Sequence, residues 1–159
     1  MSELSNKGYD LLENWPENIS YHKTPDIENY FSKERGAVTD SASLFHEKKR
    51  ILEIFIFAMA LGKNRNSYLP WSEIPKSKKS LTMPTDALTE EEIWLMTCVA
   101  ISHENNGVEV IKTPKKIVEI CEGYANGGIA LLLSYDKSPN PLEKFEEEFE
   151  SLLQLVIKN

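Results

Sequence analysis

Apolar positions along the chain fall into three regimes. From residue 1 to 46 they are scattered among polar neighbours: Leu11, Leu12, Trp15, Ile19, Tyr21, Ile27, Tyr30 and Phe31. Such a segment cannot bury enough surface alone, so it is expected to be a partly irregular arm. Its aromatics pack onto the main domain or onto a partner. Thr24-Pro25-Asp26 supplies start signals for one short helix over 26–32. From Glu47 to Leu61 the chain is apolar on almost every face after Arg50, which predicts a central helix buried all round. Gly62 stands where a C-terminal cap would fall.

Beyond residue 88 the spacing becomes that of amphipathic helices. Thr89 and Glu92 form a capping box, and the helix they open is expected to stop at Asn105-Asn106-Gly107. Val108 to Ile111 alternates apolar and polar, the pattern of one strand of a tiny hairpin. Thr113-Pro114 opens a third helix and Asn140-Pro141 a last one, running to about Ile157. In that last helix Leu142, Phe145, Phe149, Leu152 and Val156 step by 3, 4, 3 and 4. The fold class is therefore mainly α: a compact bundle of four main helices over 47–159, with a short β-hairpin or strand at most, plus a polar N-terminal arm over 1–46.

The stretch "EICEGYANGGIALLL" sets two adjacent glycines inside a helical pattern. In one reading Asn126-Gly127 ends the helix in a left-handed cap. In the other the helix continues, and Gly127 and Gly128 sit where another helix passes close. Ile117, Tyr124 and Leu131 lie seven apart, with Ile120, Cys121 and Leu132 filling the same face. That phase carries across the glycines and favours the continuous helix. Two glycines cost a helix about 2 kcal/mol relative to alanine, and close packing would offset it.

Length and charge narrow the function. At 159 residues the chain fits one domain, and a net charge of −7 excludes global steering toward phosphate. Cys98 and Cys121 read as buried, reduced thiols; no apolar leader and no membrane-length run is present, which points to a cytoplasmic protein with no membrane partner. Against the acidic whole, residues 63–80 carry Lys63, Arg65, Lys76, Lys78 and Lys79 opposed by Glu73 alone, a local charge of +4. Pro70, Pro75 and Pro84 keep this long connection irregular. Tyr68 and Trp71 interleave with its cations. Three uses are open: a solvated loop, a nucleic-acid contact through phosphate pairing and stacking, and a protein interface anchored on the two aromatics. Glu143, Glu146, Glu147, Glu148 and Glu150 face outward on the last helix with only Lys144 opposing, a solvated face or a docking surface for a basic partner. Glu143, Glu146, Glu147 and Glu150 are the candidate interface residues.

Catalytic patterns are missing. His22, His46 and His103 are isolated, neither cysteine has a ligand at zinc spacing, and "GKNRNS" lacks the upstream glycine and strand of a P-loop. No catalytic residue, cofactor or metal is expected.

"YANGG" followed by an apolar run and a final amphipathic helix resembles the small proteins of DNA phosphorothioation (Dnd) systems, the Dnd system-associated protein 4 family. "ILEIFIFAMALGKNRN" is similar to that family's apolar helix ending before a basic loop. The likeness spans roughly Phe45 to the C-terminus. It implies a non-catalytic accessory subunit of a prokaryotic DNA-modification or anti-phage defence complex. The implied partner is a larger SMC-like or helicase-type ATPase, or a nuclease. The alternative is a nucleic-acid-binding adaptor using the 63–80 loop, with weak, salt-sensitive DNA affinity when alone.

Overall fold

The computed structural model describes residues 12–22, 51–75, 80–103, 107–136, 139–140, 143–144, 146–148, 150–151 and 154. The fold is mainly helical with one small sheet. In chain order the elements are strand β1 (Asn18–His22), helix α1 (Ile51–Asn64), strand β2 (Ser80–Pro84), helix α2 (Glu90–His103) and helix α3 (Pro114–Asp136). Short 3-10 turns stand at Trp71–Glu73, Thr85–Ala87 and Gly107–Lys112. The described positions between 143 and 154 are helical. The expected helix over 26–32 lies outside the described residues.

Helix starts follow the local chemistry. Glu92 N–H donates to Thr89 Oγ1 (3.2 Å) and Thr89 N–H donates to Glu92 Oε2 (2.8 Å), a reciprocal capping box that opens α2. Thr113 C=O accepts from Lys116 and Ile117 N–H at the start of α3. Asn140 C=O accepts from Lys144 N–H, and its side chain donates to Glu143 (2.5 Å).

Three expectations are corrected. Gly62 is not a cap: α1 runs on to Asn64, and Asn66, with φ 51°, is the left-handed residue. Ser67 N–H donates to Gly62 C=O (2.8 Å) and Asn66 N–H to Lys63 C=O (3.2 Å), the paired closure of a Schellman end. Asparagine tolerates that conformation, so no glycine was needed there. Residues 108–111 are not a strand; they belong to the 3-10 helix Gly107–Lys112, which buries Val110 alone. Four residues of alternation are too few to separate the two. Cys98 is exposed, whereas Cys121 is buried and its thiol donates to Met96 C=O (3.3 Å).

The sheet comes instead from two distant segments. β1 and β2 pair antiparallel with Ser20 opposite Thr82 and Ile19 opposite Met83. Ile19 and Tyr21 are both fully buried and join the core of α1, α2 and α3. α3 is the hub: it packs chiefly along α1 and also meets α2 and β1.

Candidate functional site

The helix α3 continues unbroken through Gly127 and Gly128. At Gly128 a Cβ would overlap the Ala58 carbonyl oxygen and stand 2.7 Å from Gly62 N. At Gly62 a Cβ would overlap the Tyr124 carbonyl oxygen. The two helix backbones touch here, which requires glycine on both sides. Gly127 faces a different neighbour: a Cβ there would overlap the Ser67 carbonyl, and Ser67 Oγ donates to Gly127 C=O (3.1 Å). One turn earlier the Tyr68 ring lies where a Cβ on Gly123 would stand, and Leu69 N–H donates to Gly123 C=O (2.9 Å). The segment after α1 is thus pinned along α3.

Two polar side chains complete the arrangement. Glu122 and Asn126 are buried, one helical turn apart. Glu122 Oε1 accepts from Ser20 N–H (2.7 Å), and its Oε2 accepts from the Trp71 indole Nε1–H (2.8 Å). Asn126 Oδ1 accepts from His22 N–H (2.6 Å), and its Nδ2 donates to Leu69 C=O (3.3 Å). Each residue therefore holds the strand on one side and the 67–71 segment on the other. The spacing explains the choice of positions: four helical residues rise about 6 Å and two strand residues about 6.8 Å. Ser20 and His22 present their N–H groups away from β2, along the strand's open edge. Glu122 and Asn126 stand in for the missing neighbouring strand and satisfy donors that would otherwise be left without partners.

Burial pushes the Glu122 carboxyl up to about 7, opposed by the hydrogen bonds from Ser20 and Trp71 and reinforced by the nearby Glu119 charge. Burial also raises the adjacent Cys121 thiol. On the opposite side of the clasp, Tyr124 Oη meets His103 Nδ1 (2.8 Å) and accepts from Lys63 Nζ (3.4 Å). Lys63 also donates to Ser102 C=O (3.3 Å), and Tyr68 lies 4.8 Å from His103 and 5.0 Å from Tyr124 between ring centroids.

The residues singled out in the sequence are placed as follows. Lys63, Tyr68 and Trp71 are half-buried and engaged with α3 or with the end of α2. Arg65 pairs with Glu148 of the C-terminal helical positions, so one cation of the basic loop meets one acid of the acidic face. Lys76, Lys78 and Lys79 lie outside the described residues. Glu143, Glu146, Glu147 and Glu150 are exposed, and Lys144 bridges to Glu147 (3.5 Å). Glu122 and Asn126 were missed. The signal was present: two polar residues at i and i+4 among Val118, Cys121, Ala125 and Ile129, on a face otherwise apolar. Among the described residues no group of three His, Cys, Asp or Glu could hold a metal ion. Nor is any helix among them long and apolar enough to cross a membrane.

Fold and clasp together define a small, mainly α-helical protein whose longest described helix ties an N-terminal strand and an internal loop to itself. Residues 33–154 match the family model described as DNA sulphur modification system-associated protein 4, and the chain belongs to that family. The family is associated, by that description, with a DNA sulphur modification system. No curated protein and no solved structure matches the chain.

Proposed function

We propose that this protein is a non-catalytic accessory subunit of a DNA sulphur modification complex, working in the cytoplasm through contacts with a larger ATPase or nuclease component. The observation that carries this reading is an apolar outer surface. Trp94 is 51% exposed and Leu95 41% on α2, and Val108 (69%) and Ile111 (47%) stand out from the 3-10 helix that follows. Trp94 and Cys98 are one helical turn apart, as are Leu95 and Cys98, so α2 turns one side outward while Ile93, Met96 and Ala100 fill the core. Tryptophan in particular is enriched among interface anchors. The family's association supplies the context in which such a surface is used.

The adaptor alternative draws less support. Tyr68 and Trp71, the rings available for base stacking, are engaged with α3, and Arg65 is paired with Glu148. The test is an affinity pull-down of the tagged protein from its native host, with and without nuclease, read by mass spectrometry. The expected result is recovery of a component of the modification system that survives nuclease and is lost in Trp94→Glu. Proteins recovered only before nuclease treatment would move the assignment to the adaptor.

A further inference from the structure

The place that β1 occupies is built by β2, Glu122 and Asn126, the two side chains being held in turn by Trp71 and Leu69, all within the family-matched segment 33–154, while β1 itself lies outside it. What this slot recognises is simple. It offers the edge of β2 for main-chain pairing, two side-chain acceptors at the spacing of alternate strand N–H groups, and two sites that bury residues 19 and 21 completely. It makes little use of the outward residue, since among the described residues the Ser20 hydroxyl meets only Thr82 Oγ1 (3.1 Å). Main-chain bonds plus pockets for alternate side chains are the recognition mode of strand addition.

The resident strand fits imperfectly. The Tyr21 hydroxyl is buried without a hydrogen-bond partner among the described residues, a penalty that phenylalanine or leucine would not carry.

We propose that this slot is a strand-acceptor site for an extended segment of a partner protein, with β1 as the resident strap that the segment displaces. The segment carries large apolar side chains two residues apart. It has no proline at the two positions whose N–H groups meet Glu122 and Asn126. Only the identity of the partner rests on the accessory-subunit reading.

The probe is a fluorescein-labelled peptide spanning residues 15–24 with Tyr21→Phe, titrated onto the full chain by anisotropy. Because Ser20 N–H points to Glu122, Ser20 and Thr82 form a non-hydrogen-bonded pair, where Cα atoms approach to about 4.5 Å and a disulfide fits. Ser20→Cys/Thr82→Cys in a Cys98→Ser background therefore locks the strap when oxidised. Saturable binding to the reduced chain, lost at least about tenfold on oxidation, supports the proposal. Ser20→Pro in the full chain should tighten peptide binding by about tenfold, because it removes a charge-assisted bond of the competitor only.

Equal affinity for locked and reduced chains would overturn the proposal, as would no saturable binding to either the wild type or Ser20→Pro. Should Ser20→Pro lose its helical circular dichroism, the locked and reduced pair decides alone. Crosslinking of mixed Ser20→Cys and Thr82→Cys chains into a heterodimer would name a second copy as the occupant and overturn the partner assignment. The two readings fail separately. If modification components co-purify equally with the locked chain, the slot proposal falls and the accessory role stands. If the peptide binds but no component co-purifies, the reverse holds.

Discussion

Two stretches of this molecule invert the usual placement of polar and apolar groups, in opposite directions. On α3, Glu122 and Asn126 are buried in the middle of the helix. On α2, Trp94 and Leu95 stand in solvent. The buried polar pair is satisfied on every side the structure describes, with four hydrogen bonds to two other segments. The exposed apolar pair has no comparable account among the described residues. Buried polarity here organises the fold, whereas the exposed apolarity on α2 is the surface proposed for a partner. Substitutions should separate the two regions: those on α3 act on stability, those on α2 on association.

The largest effect is expected at the helix crossing. Gly128→Ala pushes a methyl into the Ala58 carbonyl, a backbone atom that cannot move aside without parting α1 from α3. A loss of about 3 kcal/mol or more in urea denaturation is expected. A near-neutral result would mean that the helices are not in backbone contact.

Next comes the pH dependence carried by Glu122. Its carboxyl titrates near 7 in the folded chain against 4.5 when unfolded. Below 4.5 it is protonated in both states. Between 4.5 and 7 only the unfolded state releases the proton, so stability falls as pH rises, by up to about 3 kcal/mol, and levels off above 7. Glu122→Gln removes that slope. The difference between the two urea-midpoint curves from pH 4 to 8 isolates it from every other titrating group. Parallel curves would place Glu122 in a solvated setting.

Asn126→Ala leaves His22 N–H and Leu69 C=O without their side-chain partner and should cost about 2 kcal/mol by thermal or urea unfolding. Asn126→Asp keeps the acceptor for His22, and when protonated at low pH its hydroxyl can also donate to Leu69 C=O, so it should be the milder of the two there. The smallest stability effect belongs to the other region. Trp94→Glu should change unfolding free energy by no more than about 0.5 kcal/mol while abolishing co-purification.

How much of this could be read in the chain follows from the range of the interactions involved. The helix starts at Thr89 and Thr113 were legible because capping is settled within four residues. The unbroken course of α3 through Gly127-Gly128 was legible because apolar phase persisted across the glycines. The pairing of β1 with β2 was not: each segment alternates polar and apolar over five residues, but so short a run does not name its partner, and 62 positions separate Ser20 from Thr82. Gly62 misled for a related reason. A glycine near a helix end reads as a cap, and only the passage of α3 at Gly128 shows that it makes room for a neighbour. Glu122 went unnoticed because its partners, Ser20 and Trp71, are 102 and 51 residues away.

Amide hydrogen exchange at Ser20 and His22 in the wild-type protein tests the clasp most directly. These two N–H groups face away from β2, and on an ordinary sheet edge they would exchange freely. Bonding to Glu122 and Asn126 predicts clear protection at both, less than in the middle of α3 but far above an exposed edge. Exchange at the rate of unprotected edge amides would contradict the account, and α3 would then have to hold the strand by apolar packing alone.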